Sequence, residues 1–305
     1  PLSTERDQGI TDGGTQDVLD HGGPRYPPPP AAKNHVGTVP SWESAGMEFE
    51  TVRLDGEGPV RHLVLNRPRV HNAVNAQLVA DVHQACLAVE ADPSIRVVIF
   101  RGEGPSFCSG ADLKAPRATK AEAMLGSKNG ARMYDTLLNL NAVTIAACHG
   151  YLIGGGAVFP AACDFRIGAP TVKLTLNEVS IGFNLTWHSL PVLINVVGPQ
   201  RAKEMLLLGR TYGYRQLDAM GFFTEIVESE GDLVPACERL AAEGVRQPPV
   251  PTTVSKSSIN AQSLAHARAI QHMDHVAVGF MNFSQNSRTA RETYFSGEGR
   301  DWVAE

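Results

Sequence analysis

The chain has 305 residues, 43% of them apolar, with a formal net charge of −5 and a pI of about 6.1. That length and apolar content support a large core in one big domain or two small ones. A mildly acidic chain without a basic block lacks the footprint of a nucleic-acid or anionic-membrane binder, and no apolar run reaches the roughly 18 residues of a membrane span.

Residues 1–46 carry "TDGGTQ" and "HGGPRYPPPPAAK" and almost no apolar period, which reads as a Pro/Gly-rich arm. From residue 47 the chain becomes regular. "MEFETVRLDGEGPVRHLVLNRP" predicts two strands around the turn Asp55–Gly58, ended by Asn66-Arg67-Pro68. A helix is expected over about 75–91, with Leu78, Val82, Ala85, Cys86 and Val89 on one face. "RVVIFRG" and "AVTIAAC" read as buried strands flanking a helix at about 119–140. The run Gly154-Gly155-Gly156 opens a short helix to about Ala162, and "DFRIG" and "VKLTLNE" read as strands. Beyond Asn184 the pattern is almost entirely helical. Alternating strands and helices followed by helices alone imply an α/β core with a C-terminal helical part.

The five cysteines, Cys86, Cys108, Cys148, Cys163 and Cys237, include no C-x-x-C pair and sit mostly in apolar surroundings. This suits reduced thiols in a cytoplasmic protein, and the N-terminus shows no leader pattern. No group of His, Asp or Glu has metal-ligand spacing.

The glycine run lacks the third glycine of a dinucleotide fingerprint and the Lys of a P-loop. Two readings remain: backbone packed on backbone, or a helix N-terminus whose N–H groups hold an oxyanion. "GEGPSFCSGADLK" also places small residues at a strand end, and there the N–H near Ala111 is of more interest than the Cys108 thiol.

Taken together, "LNRPRVHNAVN", "VVIFRGEGPSFCSGADLK", "HGYLIGGGAVFPAACDFRIG", "LTLNEVSIG" and "VGPQRAKEMLLLGRTYGYRQLDAMGFFTEIV" resemble the enoyl-CoA hydratase/isomerase (crotonase) superfamily in order and spacing. The resemblance covers about residues 47–300. It implies an α/β spiral of ββα units over 47–245, and a C-terminal helical trimerisation or lid region over 246–305. It also implies a homotrimer or dimer of trimers, and an acyl-CoA substrate whose coenzyme A is no separate cofactor. By the same resemblance, the N–H groups of Ala111 and Gly155 form the oxyanion hole. Arg67, His71, Ala73, Ser109, Gly110, Asp112, Leu113, Lys114, Gly154 and Val158 line the CoA or substrate. Arg67, Arg69 and Lys114 are candidates to meet phosphates, or are solvated surface.

Hydratases of the family use two glutamates. One corresponds to Glu178; the other position holds Val158, which cannot carry a proton. The resemblance therefore implies a reaction run by one carboxylate, with enoyl-CoA isomerisation favoured. Hydration with a substitute acid or base, thioester or C–C bond hydrolysis, and CoA-ester binding without catalysis are the alternatives. His188 is the candidate substitute, with the hydroxyls of Thr186 and Ser189 behind it. His149 and Asp164 read as structural. Residues 272–302 predict two helices with Phe280, Phe283 and Tyr294 on apolar faces.

Overall fold

The computed structural model describes residues 48–112, 119–294, 296 and 302–304, all within the compact unit Val39–Glu305. The expected arm, residues 1–46, lies outside the described residues. In chain order the elements are β1 (Val52–Asp55), β2 (Val60–Leu65), α1 (Ala76–Ala91), β3 (Val97–Gly102), α2 (Lys120–Leu138), β4 (Val143–Cys148), β5 (Tyr151–Ile153), α3 (Gly155–Ala162), β6 (Phe165–Gly168) and β7 (Lys173–Thr175). There follow α4 (Ser189–Leu208), β8 (Thr211–Gly213), α5 (Tyr214–Ala219), β9 (Glu225–Ile226), α6 (Leu233–Arg246), α7 (Pro249–Ser263), α8 (Arg268–Gln271), α9 (Asp274–Met281) and α10 (Gln285–Thr293).

The larger sheet runs β1-β2-β3-β4-β6-β9, antiparallel in the first hairpin and parallel thereafter. A three-stranded sheet, β5-β7-β8, stands apart from it. β3 and β4 are apolar along nearly their whole length because both faces are covered, as in parallel sheets generally. The two-residue side-chain period sorts β3 between two cores. Val98 and Phe100 join α1, α2 and α3, whereas Val97 and Ile99 pack with Ala236, Cys237 and Ala241 of α6. Helices α1 and α2 begin at side-chain caps. Asn75 accepts the Leu78 N–H at the start of α1, and Thr119 and Glu122 form a capping box at the start of α2.

Two expectations change. The stretch beyond Asn184 contains β8 and β9, strands of three and two residues, too short to show a period of their own. "VKLTLNE" stops being a strand at Thr175, where pairing with β8 ends, and Glu178 instead precedes a 3₁₀ turn, Val179–Ile181. The stretch 272–302 makes the two expected helices, α9 and α10, with Phe280 and Phe283 left exposed. Among the described residues no helix is long and apolar enough to cross a membrane.

Phe100 ties the sheet to the segments that carry the site. Its ring packs edge-on 5.4 Å from Phe107 and 5.5 Å from Phe159, and none of the three is exposed. Phe100→Ala should therefore cost about 3–5 kcal/mol in denaturant unfolding. A loss below about 1 kcal/mol would show that the two segments hold together without it.

Candidate active site

The site begins where two chain segments meet with no side chains between them. After β3, Cys108 pairs with β5: its N–H donates to the Tyr151 carbonyl at 2.9 Å, and its carbonyl accepts the Ile153 N–H at 3.1 Å. A Cβ on Gly156 would lie 2.3 Å from the Cys108 carbonyl oxygen, so α3 reaches this position only with glycine there. A Cβ on Gly110 would lie 2.5 Å from the Ile153 carbonyl oxygen. Gly110 also has φ +84°, which reverses the alternation of the strand. Beyond it, the Gly110 carbonyl accepts from Val74 at 2.7 Å and Asp112 donates to the Val74 carbonyl at 2.9 Å. In a parallel bridge of this kind the intervening residue turns its own N–H the other way. The Ala111 N–H thus faces the side on which β5 ends.

On that side, Gly154 (φ +51°) turns the chain into α3 while its N–H donates to Thr175. Gly155 is the first residue of α3, so its N–H has no acceptor within the helix, and the helix dipole lies behind it. Ala111 and Gly155 thus lie on the two segments that pack together here, each next to a glycine in close backbone contact.

The loop after β2 is fastened to the same segment. Asn72 is fully buried with φ +55°, and its amide nitrogen lies 2.9–3.1 Å from the carbonyl oxygens of Glu103, Ser106 and Phe107. The Cys108 thiol donates to the Asn72 carbonyl at 3.0 Å, and Ser109 N–H donates to His71 at 2.9 Å. Arg67 donates to the Ala73 carbonyl and meets Asp112 at 3.1 Å, so its guanidinium braces two binding segments. His71 Nδ1 lies 3.1 Å from Ser106 Oγ, and its ring stands edge-on to Tyr151. Leu113 and Lys114 lie outside the described residues.

Glu178 stands against the glycine turn. A Cβ on Gly154 would come within 3.0 Å of Glu178 Oε1 and 2.9 Å of Asn177 Oδ1. Oε2 is buried and accepts no hydrogen bond from the described residues. Burial pushes this carboxyl from its ordinary range up to about 7, opposed by a bond from its own backbone N–H. Val158, at the position of the second family glutamate, is 1% exposed inside α3 and belongs to the main core.

His188 is not an isolated core histidine. Its Nδ1 lies 2.9 Å from Asp135 Oδ2, its N–H donates to Asp274 at 2.8 Å, and its carbonyl accepts from Gln271. Burial raises the pKa of both carboxyls, and their contacts with His188 partly offset the rise. Among the described residues no hydrogen bond joins His188 to Glu178. The Ser189 hydroxyl donates to the Thr186 carbonyl. His149 Nε2 meets the Gly104 carbonyl, and Asp164 takes the N–H and hydroxyl of Thr144 and pairs with Lys256, so both are structural. Burial raises the Cys108 thiol to about 12, which leaves it no nucleophile. Among the described residues no group of three or more His, Cys, Asp or Glu could hold a metal.

The family model described as enoyl-CoA hydratase/isomerase matches residues 55–298. The chain belongs to the enoyl-CoA hydratase/isomerase family. It is 34% identical over 212 residues to an enoyl-CoA isomerase/hydratase, fer4, of Mycosarcoma maydis, covering 66% of this chain and 77% of the relative. It is 28% identical over 216 residues to the crotonyl-CoA hydratase of Syntrophomonas wolfei, covering 70% and 83%. A crystal structure of an enoyl-CoA hydratase from Mycobacterium avium superposes with a TM-score of 0.74 at 25% identity, covering 84% of this chain and all of that one. The crotonase fold is thus established, and the protein is an enzyme of this family.

Sequence reasoning missed Asn72, whose role rests on a buried left-handed backbone, and Trp187. The only sequence signal for Asn72 is its place beside His71 in "VHNAV". The stability of the fold should report the Glu178 environment directly. A carboxyl whose pKa is raised by folding stabilises fully below its unfolded value, and the gain is lost as pH rises through about 7. Glu178→Gln should therefore raise Tm at about pH 8 and leave it nearly unchanged at about pH 4. Equal shifts at both pH values would show an ordinary carboxylate.

Proposed function

We propose that the protein moves the double bond of an enoyl-CoA thioester, with Glu178 as the single proton carrier. One observation carries this reading. A buried carboxylate, one oxygen of which has no partner among the described residues, stands against the glycine turn that opens α3, and the place for a second carboxylate is filled by a core valine. The family acts on CoA thioesters, which supplies the substrate class.

The thioester oxygen lies between the N–H groups of Ala111 and Gly155. Ionised Glu178 takes a proton from C2 of a 3-enoyl thioester, and the electron pair moves through the carbonyl carbon onto that oxygen. Two fixed donors stabilise the dienolate without reorganising; removing one such donor typically lowers kcat by 10²–10³. The protonated carboxyl then returns its proton to C4, and the double bond comes to rest between C2 and C3. No atom is gained or lost. A carboxyl near neutrality suits both halves, since it must first be a base and then an acid.

Hydration is the second reading, supported by the hydratase names of the relatives. It needs a further proton donor, and Val158 provides none. Incubation with 2-enoyl- and 3-enoyl-CoA series, followed by mass spectrometry, separates the readings. Unchanged mass with a moved double bond supports isomerisation, and gain of one water supports hydration. Release of free CoA supports hydrolysis, and binding without turnover makes the protein a CoA-ester binder. Glu178→Gln should lower kcat by roughly 10²–10⁴ while thioester binding persists, and kcat/KM should rise with pH through an apparent pKa near 7. Retained activity in that variant would remove Glu178 from the reaction.

A further inference from the structure

We propose that Trp187 forms the wall of the acyl pocket beside the oxyanion hole and restricts the substrate to short, flat acyl groups. The inference rests on reading the site as a thioester site and adds its selectivity. A Cβ on Gly155 would stand 3.3 Å from Cη2 and Cζ3 of Trp187, so the six-membered edge of the indole lies one methyl group beyond the residue that offers its N–H. The opposite edge fills a slot in α2: a Cβ on Gly130 would lie 2.0 Å from Nε1 and 2.4 Å from Cδ1 and Cε2. The ring also meets Phe159 of α3 at 6.1 Å. The indole therefore spans from α2 to the first turn of α3, and the glycine at each end is the residue that admits it.

The position of the reacting carbons follows. C2 of a thioester lies about 2.4 Å from the carbonyl oxygen by standard bond lengths. With that oxygen on the Gly155 N–H, the first acyl carbons pass between Glu178, set against Gly154, and the indole, set against Gly155. A planar enoyl or dienolate unit fits beside a flat apolar edge. A long chain has to pass it.

The backbone bears the mark of a position held for a purpose. Trp187 (φ +60°) and His188 (φ +61°) are consecutive non-glycine residues in the left-handed region, and conformations of that kind persist only when their surroundings over-determine them. Three ties do so here: the His188 side chain to Asp135 of α2, its N–H to Asp274 at the start of α9, and its carbonyl to Gln271 at the end of α8.

The test is equilibrium binding of butanoyl-, octanoyl- and dodecanoyl-CoA, measured by calorimetry for the whole chain and for Trp187→Ala and Trp187→Phe. These saturated thioesters need no turnover. The native protein should bind butanoyl-CoA about tenfold or more tightly than dodecanoyl-CoA. Trp187→Ala should reduce that ratio about tenfold or invert it, with Trp187→Phe in between. An unchanged ratio in a variant with a native melting curve overturns the wall, as does a native protein without chain-length preference. If Trp187→Ala does not fold, the ratio for Trp187→Phe decides. Failure of every acyl-CoA to bind would instead overturn the thioester reading. Binding with the expected ratios but no turnover of enoyl-CoA would overturn the isomerase reading alone.

Discussion

The site depends on one close contact, the passage of residues 108–111 against residues 153–156 at backbone-to-backbone distance. The Cys108 carbonyl lies where a side chain on Gly156 would begin, and the Ile153 carbonyl lies where one on Gly110 would begin. This approach brings the Ala111 segment and the start of α3 side by side, and among the described residues neither the Ala111 nor the Gly155 N–H is hydrogen-bonded. Backbone donors have no rotamers to lose, so their spacing is fixed as firmly as the fold itself. The fold fixes it from below through Phe100, which contacts Phe107 before one donor and Phe159 after the other. It fixes it from the side through Asn72, which fastens three carbonyls of the preceding loop.

The carboxylate is held by the opposite strategy. The donors are positioned by dense backbone packing; Glu178 gains its chemistry from what it lacks. Its Oε2 is buried with no hydrogen-bond partner among the described residues, which raises the energy of the ionised form and so its basicity. Such a group would swing toward water unless its turn were fixed. The turn is fixed by α10: Gly182 packs on Ser287, Arg291 lies over the Phe183 ring at 4.8 Å, and Asn177 donates to the Tyr294 hydroxyl at 3.2 Å. Those contacts restrain residues on either side of Glu178 and leave its carboxylate untouched.

Much of this was legible in the sequence because the relevant signals are local. The buried parallel strands show as unbroken apolar runs, α1 as a spaced apolar face, and the two donor positions as small residues at strand ends. Glu178 and the Val158 departure were marked out by the family's motifs, and the partners of Asp164 and His149 agree with a structural reading. Other features were hidden for physical reasons. β8 and β9 exist only through pairing with β7 and β6, and they are shorter than any periodic signal. His188 looked like a solitary imidazole because Asp135 and Asp274 are brought to it by tertiary packing. Trp187 carries no local sequence signal. Its position is evident only beside Gly130 and Gly155, glycines distant in sequence whose missing side chains make room for it.

The C-terminal helices acquire a meaning that their composition does not convey. Within α8–α10 and the residue before them, buried side chains are few: Ala267, Val278, Ser287 and Ala290, against exposed Ile270, Met273, Val276, Phe280 and Phe283. A segment that buries so little apolar surface draws little stability from its own packing. Yet Gln271 and Asp274 of this segment fasten the turn after Trp187, and Ser287, Arg291 and the adjoining Tyr294 hold residues on either side of Glu178. Ala111 and Gly155 sit against the strongly packed core, whereas the turns at Glu178 and Trp187 take contacts from the weakly buried end of the chain. On the proposed function, whatever stabilises or loosens these helices, a neighbouring surface included, acts on proton transfer and acyl selection and leaves the proposed oxyanion hole in place.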